Sequence, residues 1–149
     1  MKILTQYGVK LVKEVSKKYE LPTKSASSSA ESARIIETVL NLSDSTVEKF
    51  GILCLDSANT VIGIHLVGVG DTNQCVVDLK GIFQRIILNN ATKFIAFHNH
   101  PAGCQESQAD KNLNERLVKA SEIMGIQYLD HIIIQDEKSY LSFREKGLM

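Results

Sequence analysis

Apolar positions recur along this chain in more than one rhythm, and the switches between rhythms mark its elements. Tyr7, Leu11, Val12, Val15 and Tyr19 return at helical spacing, which predicts an amphipathic helix ending before Pro22. A short serine-rich stretch, residues 24–30, separates it from a second helix. Ser28 with Glu31 forms a capping box for that helix, which runs through Ile35, Ile36, Val39 and Leu40. The two helices read as an N-terminal helical extension, residues 1–45, attached to a main domain of residues 46–149.

In the main domain the apolar runs of residues 50–55 and 60–67 flank the turn-forming Asp56-Ser57-Ala58-Asn59, the pattern of a hairpin. Residues 74–77 read as a short strand. Asp78 then caps a helix that carries Leu79, Phe83, Ile86 and Ile87 toward the core and ends near Asn89 and Asn90. Residues 93–98 are strand-like again. Leu113, Leu117, Ala120 and Met124 fall on one helix face, and Gly125 sits where that helix should stop. Residues 126–129, 131–134 and 140–143 finish the chain as short strands, with a polar turn at Gln135-Asp136-Glu137-Lys138 before the last. Strands alternating with helices predict an α/β fold, a sheet covered by helices, without internal repeats.

Composition narrows the class. The 149 residues are enough for one domain with a substantial core, and 44% hydrophobic with 23% charged residues is ordinary globular usage. No apolar run approaches the ~20 residues of a membrane helix, so no membrane partner is expected. Formal net charge is zero, which leaves no overall basic footprint for nucleic acid. Lys2, Lys10, Lys13, Lys17, Lys18 and Lys24 do form a local basic patch against Glu14 and Glu20, and a solvated helix face accounts for it. Cys54, Cys75 and Cys104 are odd in number and lack CxxC spacing, and no secretory signal pattern opens the chain. A reducing cytoplasm fits that usage.

The stretch FHNHPAGCQESQAD, residues 97–110, carries the chemistry. On a strand running to Pro101, the side chains of His98 and His100 project from one face while Asn99 faces the other. Pro101 should break the strand at the open end of the sheet and leave the pair accessible. Ser107-Gln108-Ala109-Asp110 has the form of a helix cap, which brings Asp110 into the first turn of the long helix. Two imidazoles, one carboxylate and a water are the ligand set of a catalytic zinc site. Such a site profits from a base, and spacing alone does not single one out among the seventeen acidic residues.

The sequence Glu48-Lys49-Phe50-Gly51-Ile52-Leu53-Cys54, followed by HNHPAG with Ser107 and Asp110, resembles the JAMM (MPN-plus, JAB) metalloprotease family, and within it the RadC-like bacterial branch. Leu129-Asp130-His131-Ile132-Ile133-Ile134 and Tyr140-Leu141-Ser142-Phe143 are similar to that branch's Asp-His-apolar run and Ser-Phe ending. The likeness extends from Val47 to the C-terminus. It implies a three-layer, cytidine-deaminase-like mixed sheet flanked by helices. It further implies that His98, His100 and Asp110 bind zinc (Zn2+), that Glu48 holds and deprotonates the water, and that Ser107 helps stabilise the oxyanion. The reaction it suggests is hydrolysis of a peptide or isopeptide bond in a peptide or protein substrate.

Three departures from the branch pattern stand out. Six residues separate His100 from Ser107, one fewer than the family's usual spacing. Cys104-Gln105-Glu106 occupies a segment that is typically acidic and proline-containing, and Lys80-Gly81 stands where Arg-Glu is common before an apolar-Phe pair, here Ile82-Phe83. Residues 1–42 also lack the glycine-centred hairpin of the helix-hairpin-helix that many RadC proteins carry.

The plainer readings are these. Ser107 and Asp110 can be a helix cap alone, and cap and ligand are compatible because a carboxylate has two oxygens. Cys104 is a conceivable soft ligand, with an exposed loop thiol as the simpler reading. His65 in an apolar strand reads as a hydrogen-bonded structural histidine, and His131 at a strand start as a turn-orienting one. The literal His-Asn-His is unrelated to HNH nucleases, whose residues are dispersed through a finger. The competing function is a DNA repair-associated metal-binding protein or nuclease that uses the N-terminal lysines on phosphates. A silent MPN interaction module would typically lose the ligands kept here, and an iron site would not need the glutamate beside the water.

Overall fold

In the computed structural model, which describes residues 1–70, 77–101, 103 and 105–149, strand burial sets the architecture. Strands β1 (Lys49–Leu55) and β3 (Lys93–Asn99) are buried from their second residue to their last. Near-continuous apolar runs of this kind require cover on both faces of a sheet. Among the described residues the cover comes from three helices: α1 (Ser29–Leu40), α2 (Leu79–Leu88) and α3 (Gln108–Met124).

Among the described residues the sheet has five strands in the order β2-β1-β3-β4-β5, with β2 Val61–Val69, β4 Gln127–Ile134 and β5 Tyr140–Ser142. Only β3 and β4 run parallel, joined through α3, and the other pairs are antiparallel. The result is the α/β mixed sheet flanked by helices that the sequence predicts.

Strand parity divides the core in two. Leu53, Leu55, Ile95, Phe97, Ile132 and Ile134 pack with Ile35 and Ile36 of α1 and with Leu42 in the 3-10 turn Leu42–Asp44. Phe50, Ile52, Cys54, Phe94 and Ala96 pack on the opposite face with Ile82, Phe83 and Ile86 of α2 and Leu117 of α3. Burial pushes the Cys54 thiol up to about 12, so it behaves as a small apolar side chain. Gly51 is required at the centre of β1, because a Cβ there would run into the Phe97 ring and the His65 carbonyl.

Several expectations are corrected. No helix forms over residues 1–20, where Ile3, Leu4, Tyr7, Val9, Val12 and Val15 are exposed. A short helix with Gly8 and three valines is marginal unless a packed face supports it, and these side chains find none. Of the N-terminal extension, α1 is the helical part, and it lies on the sheet as a covering layer rather than as an appendage. Ser28 and Glu31 close its capping box as predicted. Ile87 is 53% exposed because α2 turns Ile82, Phe83 and Ile86 inward instead. Apart from Ile126, the stretches 126–129 and 131–134 belong to one continuous strand, β4, with Asp130 and His131 buried inside it. The strand expected at residues 74–77 falls largely outside the described residues. Among the described residues no helix is long and apolar enough to cross a membrane.

Asp130 explains how a polar pair survives inside β4. Its Oδ2 accepts from the Ser29 and Ser142 hydroxyls at 2.9 and 2.6 Å, and its Oδ1 from the His131 and Arg144 backbone N–H groups at 2.7 and 3.0 Å. One carboxylate thus ties α1, β4, β5 and the C-terminal turn together. Removing it leaves four donors without their acceptor. We expect Asp130→Ala to lower unfolding free energy by about 3 kcal/mol, the scale of losing a carboxylate acceptor and orphaning its donors. The measurement is the urea midpoint at unchanged m-value, and an unmoved midpoint would contradict this account.

Candidate metal centre

His98 and His100 stand at the C-terminal end of β3, where the strand leaves the ladder. On parity His98 belongs with Phe94 and Ala96, on the face covered by α2 and α3. Asp110 arrives from α3. Ser107 is the N-cap, its Oγ accepting the Asp110 N–H at 3.1 Å while the Ser107 N–H donates to Asp110 Oδ2 at 2.8 Å. This reciprocal cap aims the carboxylate back toward the strand end. Glu48 comes from the residue immediately before β1, and β1 pairs Phe50 with His98.

The end of one strand, the cap of a helix and the residue before a neighbouring strand therefore converge. His98 Nε2 and His100 Nε2 lie 2.8 Å apart, and Asp110 Oδ1 and Oδ2 lie 3.3 and 3.2 Å from them respectively. With Glu48 these donor atoms all fall within 4.8 Å of one another. An ion held tetrahedrally with bonds of about 2.0–2.1 Å needs ligand atoms roughly 3.3 Å apart. The three tighter donors already sit near that spacing, so the residues present fit a small divalent ion. Ser107 keeps its place beside the group through the cap, with its side chain exposed. The Cys104 alternative lies outside the described residues.

The pair is less accessible than Pro101 suggested. His98 is 1% exposed and Asp110 9%, and His100 is half-buried. Burial alone would raise the Asp110 pKa. Hydrogen bonds with His100 and His98, the charge of His98 and the Ser107 N–H outweigh it and hold the carboxyl well below the usual carboxylate range. The acid therefore stays ionised.

His131 is the residue that sequence reasoning missed. It sits inside β4 rather than at a strand start, fully buried, with its Nε2 2.8 Å from His98 Nδ1. Phe143 stacks on its ring and Phe50 meets it edge-on. Burial first, and the neighbouring His98 second, push its pKa well below the ordinary histidine value, which keeps it neutral. For His98 to offer its Nε2 lone pair, Nδ1 must carry the proton, and His131 Nε2 is placed to accept it. The signal in the sequence was a polar Asp-His pair embedded in an apolar run, which a buried strand keeps only with partners. His65, by contrast, bonds to Asn89 as the structural reading proposed.

A mixed three-layer sheet with two histidines at a strand end and an acid on the facing helix cap defines an α/β domain with a candidate metal-binding group. Residues 26–148 match the family model described as the RadC-like JAB domain, and the chain belongs to that family. Its curated relatives include UPF0758 proteins of three bacteria. The one from Pelobacter propionicus is 42% identical over 109 residues, 72% of this chain and 47% of the relative. That of Clostridioides difficile is 40% identical over 103 residues, 68% and 43%, and that of Thermotoga maritima 37% over 97 residues, 64% and 43%. In each case the match spans less than half of the relative.

If His131 fixes the ligand tautomer of His98, replacing it by a ring of similar size without an acceptor should weaken divalent-metal binding and spare the fold. We expect His131→Phe to lose about 10–100-fold in affinity, the usual cost of removing such a partner. Competition against a chromophoric chelator reads this, and wild-type affinity in the variant would refute it.

Proposed function

We propose that this domain is a zinc-dependent hydrolase of the RadC-like JAMM type that cleaves a peptide or isopeptide-like bond. The observation that carries the reading is the convergence of Glu48, His98, His100 and Asp110 within 4.8 Å, two imidazoles and two carboxylates in one group. Membership of the JAB family supports it.

In this reading His98, His100 and Asp110 hold the ion, and Glu48, within 4.8 Å of them, serves the water. When bound, zinc supplies Lewis acidity, lowering the pKa of a water to about 7 and polarising a carbonyl oxygen. Glu48 takes a proton from the attacking water as the new C–O bond forms. It then delivers that proton to the amine nitrogen as the C–N bond breaks, so acid and base duty fall on one carboxylate. Ser107 Oγ spends its lone pair on the Asp110 N–H. Its own O–H proton is left to donate to the oxyanion, since a hydroxyl is donor and acceptor at once. His131 holds the His98 ring in the ligating tautomer throughout.

The test is metal content and turnover together, on a library that includes α-linked and ε-linked peptides. We expect His98→Ala to lose both zinc and turnover. Glu48→Gln should keep zinc and lose about 10²–10⁴-fold in turnover, the range for a general acid-base group. A zinc-loaded wild-type chain that cleaves no peptide-type bond but cuts DNA would replace this reading with the nuclease one.

A further inference from the structure

Asn99 stands in sequence between the two donor histidines, is 2% exposed, and faces away from them. Strand alternation sends its carboxamide through to the α1 side of the sheet. There Oδ1 accepts the Lys49 N–H at 2.7 Å, and Nδ2 donates to the Val47 carbonyl at 3.0 Å and to the Leu42 carbonyl at 3.4 Å. The Val47 carbonyl belongs to the peptide group before Glu48, and the Lys49 N–H to the peptide group after it. A single side chain therefore grips both peptide planes that border the Glu48 Cα. The carbonyl of Glu48 itself accepts from Gly70 N–H at 2.8 Å.

Two dihedrals set the direction of a Cα–Cβ bond, and fixing both flanking planes fixes both dihedrals. The β1–β3 ladder does not do this for Glu48, because its register begins at Phe50↔His98. Asn99 acts just beyond the end of that ladder. The chemistry is specific to a carboxamide of this length. An apolar residue would leave a buried N–H and a carbonyl without partners, and an aspartate could accept from Lys49 but not donate to Val47.

We propose that Asn99 is a positioning residue, a carboxamide clamp that sets the backbone of Glu48 and so aims its carboxylate at the group formed by His98, His100 and Asp110. The role of Glu48 rests on the functional reading above, whereas the clamp itself does not. It also gives the His-Asn-His spelling a division of labour. The outer residues serve the ion from one face, and the middle one holds the base from the other.

The experiment compares the full chain with Asn99→Ala, Asn99→Asp and Glu48→Gln. Its readouts are zinc stoichiometry, amide exchange at Lys49 and the visible spectrum of the cobalt-loaded protein. We expect Asn99→Ala to keep one zinc per chain while the Lys49 amide exchanges about tenfold faster or more, the signature of a lost hydrogen bond. Its cobalt spectrum should shift to match that of Glu48→Gln. Asn99→Asp, which keeps volume and acceptor, should recover Lys49 protection yet stay shifted in the spectrum, and it serves if Asn99→Ala fails to fold. An unchanged Lys49 exchange rate overturns the proposal, as does a wild-type cobalt spectrum in Asn99→Ala when Glu48→Gln differs. Loss of zinc from Asn99→Ala also overturns it, because that marks a general structural role. If the wild-type chain binds neither ion, the functional reading falls alone. Crystal structures then decide the clamp, which fails if the Glu48 carboxylate keeps its place in Asn99→Ala.

Discussion

Consecutive residues of a strand cannot serve the same face, and this alternation organises both the core and the site. At the end of β3 it sends His98 toward α3 and Asn99 toward α1. In the neighbouring parallel strand it sends His131 to the His98 side and Asp130 to Ser29 of α1. Register brings the two strands together, Ile95 beside Asp130 and Ala96 beside His131. Four polar side chains can therefore be buried near the middle of a sheet, because each meets a partner that the covering helix or the adjacent strand provides. Without a layer on each face the same alternation would leave half of them in solvent and the others unpaired.

The donor group is assembled by elements that need no metal to fold. Two apolar clusters cover both faces of the sheet, so an ion is not required as a structural staple in the way a small metal-dependent module requires it. The cost of bringing an acid and two imidazoles together is met locally. Asp110 is held ionised by hydrogen bonds that outweigh its desolvation, and His131 is neutral in an apolar box of Phe50 and Phe143. An ion that binds only this folded arrangement adds stability by mass action, about 4 kcal/mol at a thousand times its Kd. Such binding would add to the fold without being its origin.

How much of this could be read from the chain depends on whether the signal is local. The Ser107-x-x-Asp110 cap, the Ser28-x-x-Glu31 box and the His-x-His parity each lie within a few residues, and each appears where the spacing puts it. Glu48 has no local signature, since its proximity to Asp110 is made by the β1–β3 register; only the family resemblance singled it out. His131 and Asp130 were hidden by the habit of ending a strand at charged residues, which holds for a half-exposed strand and fails for one buried on both faces. The helix expected at Tyr7 to Tyr19 failed for the converse reason. Periodicity reports what a segment could do beside an apolar surface, and the described structure supplies none.

The shortened loop after His100 tests which contacts govern Ser107. The Lys146 ammonium reaches Glu106 at 3.0 Å, but with Lys146 41% exposed the pair is worth at most about 1 kcal/mol and cannot dictate loop shape. The two ends of the loop are fixed by stronger means. His100 N–H donates to the Ile134 carbonyl at 3.3 Å, and Gly103, at φ 67°, closes a turn back onto the His100 carbonyl. At the other end the reciprocal cap makes Ser107 and Asp110 one rigid unit. A residue removed between these anchors leaves the contacts at both of them in place. It cannot separate the serine from the acid, because any movement of Ser107 that broke the cap would also release the side chain that faces the histidines. Loop length is thereby decoupled from the donor group.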